Sequence, residues 1–176
     1  MEGLILPFFL FIWLENMGYK PYYWIMNKAI KLVLKEETTF DLYFYDCRVK
    51  RYDILSLADK FPQLYALEDR NLFLKGHLLG WSGVVWNDEL DIDCDTVYEE
   101  GIDVTEEYDD VILVAIGYNI KQLRIEKNLT QEELAEITGI NQADLSKLEK
   151  GLANPSIKTL NRIAEGLNSK ISLTIR

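Results

Sequence analysis

Gln131 to Lys150 reads QEELAEITGINQADLSKLEK, and the order of residue types in it dictates two short helices meeting at a sharp turn. Thr130 followed by Glu133 is a reciprocal cap. The threonine hydroxyl accepts from the backbone N–H three residues on, and the glutamate reaches back to the threonine N–H, which fixes where the first helix starts. Leu134 and Ala135 follow, with Ala135 small enough to let a partner helix approach. Gly139 then stands where the chain must turn with positive φ, a conformation that costs a residue without Cβ little.

The next helix carries Ile140, Leu145 and Leu148 at inward spacing, leaving Gln142, Ala143, Ser146, Lys147 and Lys150 on the opposite side. Gly151 reads as a left-handed cap. Ser156 caps a further helix that buries Ile157, Leu160, Ile163, Ala164 and Leu167 as one stripe. The unit is a helix-turn-helix, whose second helix is shaped to lie in a DNA major groove.

The charge balance agrees once the chain is divided. The whole of its 176 residues carries −10, which is the wrong sign for a polyanion ligand. Residues 1–114 hold 10 basic and 22 acidic side chains, whereas 115–176 hold 9 basic and 7 acidic. Between Asp88 and Asp110 there are 12 acidic residues and no Lys or Arg, a block that repels phosphate and should face away from DNA. Cys47 and Cys94 are far apart and follow no ligand or disulfide spacing. They are expected to be buried thiols of a protein in the reducing cytoplasm.

Upstream, Ala29 to Leu34, Phe40 to Tyr45 and Arg48 to Ile54 predict an antiparallel meander, the last two strands joined by a tight hairpin across Asp46 and Cys47. Ser56 to Phe61 reads as a short helix ended by Pro62. Asn71 to Leu78 and Gly83 to Trp86 read as strands flanking a glycine turn, and Asp95 to Tyr98 as one helical turn. Ile112, Ile116, Ile120 and Leu123 recur at helical spacing and predict a helix starting near Asp109. At the C-terminus Lys170 to Arg176, KISLTIR, alternates as a strand. It would either join the N-terminal sheet or pair with its copy in a second subunit, the reading preferred here because two reading helices about 34 Å apart match successive major grooves.

Gly3 to Leu14, GLILPFFLFIWL, is apolar throughout but shorter than the roughly 20 residues of a spanning helix. It reads as translation from a start upstream of the true one, with Met26 the natural start. The alternatives are a packed arm and membrane association. The expected division is therefore 1–25 as an apolar extension, 26–104 as an α+β domain and 105–176 as the DNA-binding domain, an α+β chain with an all-α second half.

Leu123 to Leu167, LRIEKNLTQEELAEITGINQADLSKLEKGLANPSIKTLNRIAEGL, resembles the Cro/cI repressor family of helix-turn-helix domains, also called the XRE family. The resemblance covers about 60 residues from Ile116 onward. It implies that Gln131 contacts a phosphate, that Gln142 and Lys147 reach base edges or backbone, and that Arg124 pairs with Glu149 to tie the first helix to the third. Asp144 departs from the family, which favours a neutral or basic residue there, and Gly166-Leu167-Asn168 replaces its usual Ala-Leu-Gly close. In the first half, YDI at Tyr52 to Ile54, LEDRNLF at Leu67 to Phe73, VVWNDELDID at Val84 to Asp93 and DTVYEEG at Asp95 to Gly101 resemble a small α+β domain family of unknown function, often fused ahead of a repressor-type helix-turn-helix.

Three sharper readings compete with plain structural ones. Asp91, Asp93 and Asp95 imitate the start of a calcium loop, but Thr96 and Ile102 stand where it needs glycine and glutamate, so no metal site is assigned. His77, the only histidine, reads as a strand residue rather than a general base. Tyr65, Phe73, Trp81 and Trp86 read mainly as core, with a ligand pocket as the alternative. The sequence thus predicts a non-enzymatic, cofactor-free, sequence-specific DNA-binding regulator, repressor or antitoxin-like, acting as a homodimer on double-stranded DNA. Its first domain would be a sensor or interaction module taking a protein partner or small effector. The alternative is a protein-interaction adaptor built on a helix-turn-helix that does not bind DNA.

Overall fold

The computed structural model describes residues 27–171, and these form two compact units divided between Val111 and Ile112. The apolar stretch at 3–14, Met26, and most of the strand predicted at 170–176 lie outside the described residues.

In the first unit, β1 (Ala29–Leu34), β2 (Thr39–Phe44) and β3 (Val49–Asp53) make the expected antiparallel meander. The hairpin between β2 and β3 is one residue longer than predicted. Phe44 N–H donates to the Arg48 carbonyl at 2.8 Å, and Cys47 takes φ +64°, the left-handed third position of a three-residue loop. Along β2 the pleat sends Phe40, Leu42 and Phe44 into the apolar core, while Asp41 and Tyr43 alternate with them, and all five are buried. That second face is covered by polar partners, described below.

Asn71 to Leu78 is not a strand. A 3-10 turn over Pro62–Glu68 is followed by α1 (Arg70–Phe73), which Asp69 caps by accepting from Asn71 N–H at 2.9 Å. Only β4 (His77–Leu79) is extended. The helix expected over Ser56 to Phe61 is replaced by a 3-10 turn at Ile54–Leu57, capped by Asp53. Phe73 and Trp86 stack at 5.9 Å in the core, and the indole N–H donates to the Phe73 carbonyl at 2.8 Å. Gly76 makes this possible, since a Cβ there would lie 2.6 Å from the indole nitrogen.

The second sheet runs β4, β5 (Gly83–Asn87), β6 (Leu90–Asp93), all antiparallel. β6 leads directly into α2 (Cys94–Glu100), capped by Asp93 accepting from Thr96 N–H at 2.7 Å. Asp93 of the calcium-like run is thus employed as a helix cap. His77 is exposed on β4. Trp86 and Phe73 are core, whereas Tyr65 and Trp81 are about half exposed. Cys94 is buried and Cys47 only partly so.

A short β7 (Ile102–Asp103) completes the first sheet beside β3, and the chain continues across that sheet's polar face. Thr105 Oγ1 accepts from Val49 N–H at 2.9 Å, Glu107 binds Arg51 at 2.9 Å, Tyr108 donates to Asp41, and Asp110 accepts from Lys31 and Tyr43, each at 3.0 Å. These bonds are why residues 105–111 belong to the first unit. The division predicted after residue 104 falls seven residues later.

Among the described residues the second unit holds only helices: α3 (Val111–Glu126), entered from the last residue of the first unit, α4 (Gln131–Thr138), α5 (Gln142–Glu149) and α6 (Ile157–Gly166). Helix α3 starts two residues beyond Asp109. Its core joins Ile116, Ile120, Leu134, Ala135, Leu145, Leu148, Leu160, Ile163 and Leu167. Two predicted core residues stand outside it, since Ile112 and Ile157 are exposed. In the same first turns Val111 and Leu160 are buried instead. No helix among the described residues is long and apolar enough to cross a membrane.

Candidate nucleic-acid interface

Helix α5 is held by caps at its ends and close approaches along its inward side. Thr130 and Glu133 form the reciprocal cap of α4, with Thr130 N–H donating to the glutamate at 2.7 Å and Glu133 N–H donating to the threonine hydroxyl at 3.2 Å. Gly139 ends α4 at φ +63°, and Asn141 caps α5 by accepting from Ala143 N–H at 2.8 Å. Arg162 of α6 donates to the Thr138 carbonyl at the end of α4, at 3.1 and 2.5 Å, a cation placed against exposed helix carbonyls. The sequence reading assigned Arg162 no role, because nothing local marks which carbonyl it reaches.

Three glycines set the helix spacing. A Cβ on Gly117 of α3 would lie 2.1 Å from the Leu148 carbonyl oxygen and 2.9 Å from Gly151 N, so α3 and the end of α5 meet backbone to backbone. Gly151 itself sits at φ +71° against Val114. Gly166, which reads in isolation as a loosening of α6, is required by crowding. Its Cβ would meet the Thr138 methyl at 2.6 Å. Helix α6 then closes with Asn168 at φ +50° and Ser169 N–H donating to the Ala164 carbonyl at 2.8 Å, the hydrogen-bond pattern of a left-handed cap.

A polar relay runs from the interior to the surface. Arg124 of α3 forks onto Glu149, Nε to Oε1 at 2.5 Å and Nη2 to Oε2 at 2.9 Å, and also donates to the Leu129 carbonyl at 2.7 Å. The carboxylate beside it raises the Arg124 pKa. Glu149 has 2% of its side chain exposed and Arg124 11%. Gln131 Nε2 donates to Glu149 at 2.8 Å, and Gln131 Oε1 accepts from Gln142 Nε2 at 2.8 Å. Four predicted residues, Arg124, Glu149, Gln131 and Gln142, are thereby brought into one chain. Sequence reasoning identified each of them, but not the hydrogen bonds that join the two glutamines.

Among the described residues the relay leaves one Nε2 hydrogen and the carbonyl oxygen of Gln142 unused, along with one Nε2 hydrogen of Gln131. Around Gln142 the outward side of α5 presents Ala143, Asp144, Lys147 and Lys150, all exposed, and the half-buried Ser146. Lys147 Nζ lies 4.0 Å from Asp144 Oδ1. The result is a surface of one amide, one methyl, one hydroxyl, two ammonium groups and one carboxylate on a helix whose other side is locked into the core.

The helix-turn-helix family HTH_3 matches residues 120–173. Two proteins named as uncharacterized HTH-type transcriptional regulators, y4dJ of Sinorhizobium fredii and one from Archaeoglobus fulgidus, are each 46% identical over 52 residues. That is 30% of this chain and 68% and 73% of theirs. The regulator SinR of Bacillus subtilis is 40% identical over 57 residues, 32% of this chain and 51% of its own. Among solved structures, the restriction-modification controller protein C.Esp1396I, a tetramer in complex with its natural 35 base-pair operator, is 34% identical. It is matched over 34% of this chain and 78% of its own with a TM-score of 0.33.

Proposed function

The chain belongs to the HTH_3 helix-turn-helix family of transcriptional regulators, and from that premise we propose that it binds specific DNA sequences through the outward side of α5. The observation that carries this reading is the relay from Arg124 through Glu149 and Gln131 to Gln142. It holds a glutamine amide at the first turn of α5 with one donor and one acceptor still to offer. That pair matches the N7 acceptor and N6 donor of adenine. Ala143 suits a thymine methyl, Ser146 can take either partner, and Lys147 donates to guanine. Lys150 and the remaining N–H of Gln131 serve phosphates, which fix register without reading sequence.

Helix α5 has eight residues, about 12 Å of helix, and reads only a few base pairs. Specificity therefore calls for two copies on half-sites about one helical turn apart, and the proposal includes a homodimer. The first unit is the module that senses a small effector or a protein partner, and the whole acts in the cytoplasm as a repressor or antitoxin-like regulator. Recovering genomic DNA fragments on the full chain tests this. A shared motif with two half-sites about 10 base pairs apart is the expected result. Recovery of no enriched sequence at low salt would point instead to a protein adaptor.

A further inference from the structure

Asp144 stands in the middle of the exposed side of α5, on a surface that should approach a polyanion, and simple electrostatics would remove it. It is 67% exposed, and Lys147, one turn later and 62% exposed, is the only cation paired with it among the described residues, at 4.0 Å. The inward neighbours Leu145 and Leu148 are buried, so the core fixes the rotation that sends both charged groups outward. Resting on the DNA-binding reading above, the geometry points to Asp144 and Lys147 acting as one two-part reader of a single G·C base pair.

An ionised carboxylate only accepts hydrogen bonds and an ammonium only donates. Across its major-groove edge a G·C pair shows two acceptors on the purine, N7 and O6, and then a donor on the pyrimidine, the N4 amine. A donor over the purine and an acceptor a few ångströms away over the pyrimidine complement that order. With the same placement over an A·T pair, the ammonium finds the adenine N6 amine where guanine had O6 and keeps only N7 as acceptor, while the carboxylate meets thymine O4, a repulsion. Discrimination then comes as much from what the pair rejects as from what it binds. The i,i+3 pairing also gives Asp144 a counter-charge before DNA arrives, which reduces its repulsion of phosphates during approach.

The test selects duplexes from a randomised library with the full wild-type chain and with Asp144→Ala and Lys147→Ala, both at exposed positions where the fold is unaffected, as circular dichroism would check. Wild type is expected to fix a G·C pair at one position per half-site, with a preference of about 5- to 150-fold. Both variants should lose that preference at the same position and keep the others. Two outcomes overturn the inference while leaving DNA binding intact: Asp144→Ala tightens binding to all sequences alike with preferences unchanged, or the two variants relax different positions. Failure of the wild type to select any sequence overturns the DNA-binding reading, and the paired reader with it.

Discussion

Glu149 is surrounded by three donors, two from Arg124 and one from Gln131, and this makes a single buried carboxylate responsible for both packing and presentation. Glu149→Ala would leave the Arg124 guanidinium buried without a counter-charge and release Gln131. The expected loss is about 3–5 kcal/mol in the second unit, read by urea unfolding, together with weakened DNA binding. An unchanged unfolding midpoint would show that the relay does not hold the helices. Gly117→Ala should also destabilise, by roughly 1–3 kcal/mol, because its Cβ would strike the Leu148 carbonyl and neither backbone can yield cheaply. Lysine positions behave differently. Lys150→Ala should leave stability unchanged and lower the slope of log affinity against log salt by about one, whereas an unaltered slope would remove Lys150 from the phosphate contacts.

These residues differ in how visible they are in the sequence. Thr130, Glu133, Gly139 and Gly151 declare themselves because a cap or a positive φ is a local requirement. Gly117 is silent, since an interior helix glycine reads only as a weak helix former until the facing backbone is known. Gly166 points the wrong way for the same reason, its use being set by Thr138 of another helix.

At the scale of elements, the polar face of the first sheet is where sequence reading fell short. The apolar alternation of Phe40, Leu42 and Phe44 announces one buried face. Nothing local says that Asp41 and Tyr43 will be buried too, because the segment that covers them, 105–110, is more than 60 residues away and reads as a charged linker. Similarly, the apolar run at Asn71 to Leu78 resembles a strand, but the Asp69 cap and the preceding 3-10 turn win the first half of it for helix.

Burial acts to raise the Asp41 pKa, but hydrogen bonds from Arg51 and Tyr108 and the charges of Arg51 and Lys35 outweigh it and hold the carboxylate below its ordinary range. A depressed acid contributes stability that is fully present above its unfolded value, about pH 4, and is lost as pH falls through the folded value. The first unit should therefore unfold more readily as pH falls below about 4, and Asp41→Asn should flatten that acid limb in a pH series of thermal melts. An unchanged limb would place the acid sensitivity elsewhere. The two thiols make a separate check. Burial pushes Cys47 and Cys94 each up to about 11, so at pH 8 only about one in a thousand is thiolate, and alkylation of the native chain should be slow compared with the unfolded chain.

For the whole molecule, the first 114 residues are strongly acidic and residues 115–176 mildly basic. The positive excess of 115–176 is only two, so long-range attraction is weak, and on the proposed reading affinity comes from a fixed reading surface. The measurement that tests this most directly is a salt titration of binding by fluorescence anisotropy, using a duplex recovered from genomic fragments and comparing wild type with Gln142→Ala. Log affinity should fall linearly with log salt for both. Gln142→Ala should bind the recovered duplex about 5- to 150-fold more weakly while binding scrambled DNA equally well. Equal affinity of the wild type for recovered and scrambled duplexes, or no binding at low salt, would contradict it.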